Sequence, residues 1–194
     1  MIKKNSLPVF LFLLFLNTLE AQVKYDREYR MSKEDVPQAA LDFVREIDLT
    51  SKVKWYKEEG PDGDSVEAKT KIKSRKYNID FDGEGLIEDI EVDIKPRELD
   101  PILHKKIKAY LDSNYQKPKI CKAQIQVVGS RENLIKVLNY PESKENLNLI
   151  TRYELEVTIK DQRRHHKMEF LFDPNAVLIR KTRIITKNTD NLDY

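Results

Sequence analysis

Between Tyr77 and Ile94 apolar side chains occupy every second position, stop at a glycine-containing turn, and then resume. Tyr77, Ile79 and Phe81 alternate with Asn78 and Asp80. After Asp82-Gly83-Glu84-Gly85, Ile90, Val92 and Ile94 alternate with Glu91 and Asp93. A period of two sends alternate side chains to opposite faces, so this stretch reads as two antiparallel strands with one face buried. The pattern returns, weakened, from 166 to 184, where Phe170 and Phe172 lead into Asp173-Pro174-Asn175-Ala176 and a second apolar run. Hairpins of this kind need something to lie on their apolar face.

The sequence supplies a cover just upstream. Residues 35–47 read as a helix: Asp35 can cap it, Pro37 sits in the first turn where its missing N–H costs nothing, and Val36, Ala39, Ala40, Phe43 and Ile47 form one stripe. Four strand-like runs follow, at 52–57, 66–73, 77–81 and 86–94, joined by connections short enough to force antiparallel neighbours. From Leu99 the order begins again. Asp100-Pro101 repeats the capping pattern, Leu103, Ile107, Tyr110 and Leu111 repeat the stripe, and strand-like runs occupy 120–128, 151–159, 167–172 and 177–185.

The predicted fold class is therefore α+β: two tandem repeats, each a helix followed by a four-stranded antiparallel meander, with the helices packed on one face of the sheet. The opposite face of the first repeat carries Lys69, Lys71 and Lys73 beside Asn78, Asp80, Asp89, Glu91 and Asp93, and reads as wet and charge-paired across strands. The repeats are placed at 22–98 and 99–187, with a flexible tail at 188–194. Residues 23–30 are charged and aperiodic, an exposed lead-in. An insertion at 129–148, with helical turns over 132–138, is the longest irregular segment and a candidate binding region.

Lys3 and Lys4, an apolar run at 7–16 and the small residue Ala21 read as a signal peptide over 1–21. The apolar run is about ten residues, half of what a membrane span needs. The expectation is a periplasmic or secreted chain with no membrane span after cleavage. Cys121, the single cysteine, allows no intrachain disulfide and reads as a half-buried packing residue. A net charge of +2 gives no basis for a nucleic-acid partner. The halves differ, however: Val23 to Glu98 hold 15 basic and 20 acidic residues, and Leu99 onward 18 and 12. That asymmetry reads first as drift on solvated surfaces, and second as mutual steering of two halves or two molecules.

Val36-Pro37-Gln38-Ala39-Ala40 with Phe43, then Lys52-Val53-Lys54-Trp55-Tyr56, then Tyr77-Asn78-Ile79-Asp80-Phe81-Asp82-Gly83-Glu84-Gly85 resemble the periplasmic PepSY-like, or β-lactamase-inhibitor-like, family. They look like that family's helix opening, its first-strand Trp and its strand ending in Phe-Asp-x-x-Gly. The likeness covers 32–94 and departs beyond it, where Pro174-Asn175-Ala176 replaces the glycine turn. It implies a two-layer α+β fold and a non-enzymatic role, in which the exposed sheet face binds a protein.

One stretch carries a metal template. On the twelve-residue calcium loop, Asp80, Asp82, Glu84, Glu88 and Glu91 fall at ligand positions and Gly85 at the obligatory sixth. The flanks, however, are strand-like rather than helical, so the same acids also read as a plain hairpin turn balanced by Lys69 and Lys71. Adjacent Trp55 and Tyr56 point to opposite faces of one strand, one into the core and one outward amid lysines, where an aromatic suits a protein partner. No nucleophile elbow, no His-Glu-x-x-His and no phosphate loop is present, and His165-His166 lack companions at ligand spacing. The sequence thus predicts a secreted, non-catalytic binding or inhibitor-like module with a protein partner and no cofactor. The alternative is a calcium-responsive envelope protein using the acidic hairpin 80–91.

Overall fold

The computed structural model describes residues 22–25, 28–60, 63–142, 147–161 and 164–185. The expected signal peptide (1–21) and tail (188–194) lie outside the described residues. Three helices and ten strands are described. In chain order they are β1 (Gln22–Tyr25), β2 (Glu28–Arg30), α1 (Gln38–Arg45), β3 (Lys54–Gly60), β4 (Gly63–Ile72), β5 (Arg75–Phe81), β6 (Ile87–Ile94), α2 (Pro101–Asn114), β7 (Gln116–Gly129), α3 (Arg131–Asn139), β8 (Leu149–Asp161), β9 (Arg164–Phe172) and β10 (Leu178–Ile185).

The strands form a single sheet in the order β1-β10-β9-β8-β7-β6-β5-β4-β3-β2. Nine of them, β2 to β10, run antiparallel to their neighbours, and β1 adds to β10 in parallel. This corrects the two-repeat architecture. Residues Ile90 to Ile94 of β6 pair with Val127 to Ala123 of β7, so the hydrogen-bond ladder runs without a break from one expected repeat into the next.

The cores do not respect the expected division either. The cluster under α1, built on Phe43, Trp55, Ile79, Phe81 and Ile90, also takes in Val127, Leu134 and Leu138 from β7 and α3. Hence the 129–148 insertion contributes a packing helix. The second cluster gathers Leu103, Ile107 and Leu111 of α2 against Leu155, Val157, Phe170 and Phe172.

Local chemistry explains most of the elements. Asp100 caps α2 by accepting from the amides of Ile102 and Leu103 at 2.9 and 3.0 Å. At α1 the expected Asp35 cap is absent: Asp35 belongs to a 3-10 turn and Pro37 takes the capping position. Phe43 of α1 meets Phe81 edge-on at 5.5 Å, and Tyr110 of α2 meets Phe172 in the same way at 5.6 Å.

Chain geometry then sets the shape of the sheet. β1 and β2 stand at opposite ends of the strand order, nine spacings apart, which in a flat sheet is about 43 Å. Yet only two residues separate Tyr25 from Glu28, which limits their Cα atoms to about 11 Å. The sheet must therefore curl until its two edges nearly meet, and Cα atoms of β1 do come within 8 Å of β3. The parallel pairing of β1 follows from the same constraint. β2 and β10 run the same way because eight antiparallel steps separate them, and β1, running on into β2, arrives parallel to β10.

The buried side chains of α1, α2 and α3 pack on the apolar face of the sheet. Among the described residues no helix covers the polar face, yet its side chains are buried, so it is the side that the curl encloses. Its polar residues are consequently not the wet surface expected from the alternation: Gln124 is 1% exposed, Glu67 and Glu169 4%, and Glu154 and Gln126 6%.

Candidate functional site: an acidic cluster inside the curled sheet

Strand register assembles the site. Glu67 of β4 stands opposite Asp80 of β5, and Asp80 stands opposite Asp89 of β6. Asn78 stands opposite Glu91, and Glu91 opposite Gln126 of β7. A bulge after Asp80, where Phe81 pairs with Ile87, places Glu88 outside this ladder. Carboxylate oxygens of Asp80, Asp89 and Glu91 all lie within 4.8 Å of one another, and Glu28, Glu58 and Glu67 form a second such group.

The surrounding cations lie at the margins. Lys69 reaches both carboxylate oxygens of Glu28 at 2.7 Å and Glu67 at 2.9 Å, while its ammonium sits 4.9 Å above the Tyr56 ring. Arg180 of β10 reaches Glu169 at 3.4 Å and Glu154 at 3.8 Å. At the cluster itself Gln126 donates to Asp89 Oδ2 at 3.0 Å and Asn78 to Glu91 Oε2 at 3.4 Å. Asp89 Oδ1 and Gln124 Nε2 are buried with no hydrogen-bond partner.

Burial and like charge both oppose ionisation here. Burial pushes the Asp89 carboxyl up to about 7, with Glu91 and Glu88 adding to the rise and Arg180 and Arg152 opposing it. Glu67 is likewise pushed up to about 7, by burial and then by Glu58, against the pull of Lys69. Asp80 is held well above the ordinary range by burial and then by Glu91 and Asp89. Burial tends to lower Lys69, but its bonds to Glu28 and Glu67 more than offset that and raise it. Arg152 and Arg180, from the second half of the chain, thus oppose the acids of the first half from the margin of the cluster.

The residues of the calcium template separate. Asp80 and Glu91 enter the cluster, joined by Asp89, which the template omits. Asp82 instead builds the turn: its Oδ1 accepts from the amides of Glu84 and Leu86 at 3.0 and 2.8 Å. Glu84 and Glu88 are exposed, and strands rather than helices flank the turn, so EF-hand geometry is absent. Asp173 makes the same turn in the other hairpin, accepting from Asn175 and Val177 at 2.8 and 2.7 Å.

Gly85 has φ +86°, and a Cβ there meets Pro37 Cβ at 2.7 Å and the Ala40 nitrogen at 3.0 Å. Gly85→Ala should therefore lower stability by about 1–3 kcal/mol, through a strained backbone and a displaced α1; urea denaturation checks it.

Trp55 is 6% exposed, its ring 6.0 Å from Phe81, so it belongs to the core. Tyr56 lies on the inner face beneath Lys69. Cys121 is exposed rather than half-buried, its Sγ 3.1 Å from Thr158 Oγ1.

No family model matches the chain, and no curated protein matches it. Among solved structures it is similar to a DUF2874 family protein from Bacteroides ovatus, with 11% identity, TM-score 0.49, and 76% of this chain and 87% of that chain covered. A second DUF2874 family protein, from Bacteroides uniformis, gives 15%, 0.48, 76% and 89%. A BLIP-like protein from Bacteroides fragilis gives 15%, 0.46, 82% and 91%. These are distant likenesses of shape.

Proposed function

We propose that this chain is an exported, non-catalytic binding module that takes a protein partner on the inner face of its curled sheet. The observation that supports this reading is the clustering of Asp80, Asp89 and Glu91, with Asp89 Oδ1 buried without a donor while Lys69 is committed to Glu28 and Glu67. Burial and proximity disfavour the ionised forms of Asp80 and Asp89, and a partner presenting lysine or arginine would favour those forms and pair with them on binding. Among the described residues no helix is long and apolar enough to cross a membrane.

The test is differential capture from an envelope fraction. Wild type and an Ile102→Asp control, altered on the exposed side of α2, should recover the same protein, and Asp80→Asn/Asp89→Asn should lose it at least tenfold. Equal recovery by all three would place the binding surface elsewhere.

The calcium reading moves to a different ligand set. Three carboxylates within 4.8 Å, one oxygen of Asp89 unpartnered, suit a hard divalent cation with oxygen ligands. Calorimetric titration with calcium should then give heat that Asp89→Asn removes and Asp82→Ala retains. No heat at millimolar calcium removes this reading and leaves the protein partner.

A further inference from the structure

β1 and β2 contribute only seven residues to the sheet, yet they are what joins its two edges. β1 holds β10 through four residue pairs, Gln22 with Thr182 to Tyr25 with Ile185. β2 holds β3 through three, Glu28 with Glu58 to Arg30 with Tyr56. The chain between them is two residues long, so neither pairing can shift far without pulling on the other. β2 has little to hold it. All three residues of β2 are exposed, so it buries almost no apolar surface, and β1 is a short parallel edge strand. The fixed points near β2 are the Lys69–Glu28 ion pair on the inner face and the hydrogen bond from Met31 N to Trp55 O at 3.0 Å. Elsewhere the sheet rests on the two apolar clusters, to which the described side chains of β2 contribute nothing.

We propose that β1 and β2 act as a clasp: closed, they draw the edges of the sheet together over the acidic inner face, and released, they let the sheet open and admit a partner. The clasp opens as one unit because only two residues of chain link β1 to β2, which are bound to strands at opposite ends of the sheet. This device rests on the inner-face reading for its purpose, but its mechanics are measured without any partner.

The experiment is amide hydrogen exchange on the full chain and two variants, one at each end of the clasp. Val23→Pro with Lys24→Pro removes two successive β1 amides, at least one of which is directed at β10. Glu28→Gln removes the charge that ties β2 to Lys69. Each variant should speed exchange at least fivefold at both edges, β10 (Thr182–Ile185) and β3 (Tyr56–Glu58), while β7 and β8 keep wild-type protection. Faster exchange only at the edge beside the substitution, or no change at either edge, overturns the clasp. Should the proline variant fail to fold, Glu28→Gln carries the same test from the other side. Loss of partner capture in Asp80→Asn/Asp89→Asn concerns the inner face alone, so failure of the clasp and failure of the binding reading are distinguishable.

Discussion

The protein should lose stability as the pH rises from about 4 to 7, the reverse of ordinary acid denaturation. Glu67 and Asp89 titrate near 7 in the fold because burial, and then neighbouring acids, disfavour their charged forms. In the unfolded chain they titrate near 4. A folded value above the unfolded one means that the folded state binds protons more tightly. The resulting stability is fully present below the unfolded value and is lost as the pH climbs through the folded value. At about 1.4 kcal/mol per pH unit, Glu67 alone accounts for on the order of 3 kcal/mol of this loss.

Exposed carboxylates act in the opposite sense. Arg131 at Glu46, and backbone amides at Glu98 and Asp173, hold these acids low, but solvent screens all three. Urea midpoints should therefore be higher at pH 5 than at pH 8, and Glu67→Gln should flatten the slope. A midpoint that rises steadily with pH would mean that the inner face is solvated.

Phe81→Ala should cost about 3–5 kcal/mol, lowering the melting temperature by roughly 10 °C. Phe81 is 0% exposed and lies between Phe43 of α1 and Trp55 of β3, so its loss leaves a cavity between helix and sheet. Phe170→Ala, in the other cluster and stacked at 6.2 Å on Phe172, should cost a similar amount. Because β6 and β7 share one ladder, and α3 and Val127 sit in the first cluster, both variants should melt in a single transition displaced as a whole. Scanning calorimetry reads this directly, and a transition split by either substitution would indicate two separately folding units.

Much of this fold was legible in the alternation of the sequence, because alternation depends only on which face of a strand is apolar. The eight long strands announced themselves that way, and Asp100-Pro101 announced α2. What failed were features that no local period records. β1 and β2 are too short, and too polar, to show a pattern, so 23–30 read as a lead-in. The curl follows from where those strands pair, a long-range fact. For that reason Glu91 reads as part of a wet face when it is buried.

Asp89 was missed for a related reason. The calcium template assigns ligands by loop spacing, whereas strands assign them by parity and register. Asp89 and Glu91 share a face two residues apart, and the hairpin that begins at Asp82 sets Asp89 opposite Asp80. That parity was available from residues 80–91 alone.

The polar side of this sheet is an enclosed interior whose acids are held close together. The most direct measurement is a carboxyl carbon NMR titration of Glu67 and Asp89 in the intact chain. Midpoints near pH 7, moving toward ordinary values once β1 and β2 are released, are the expected result. Midpoints near 4 with the clasp in place would contradict it.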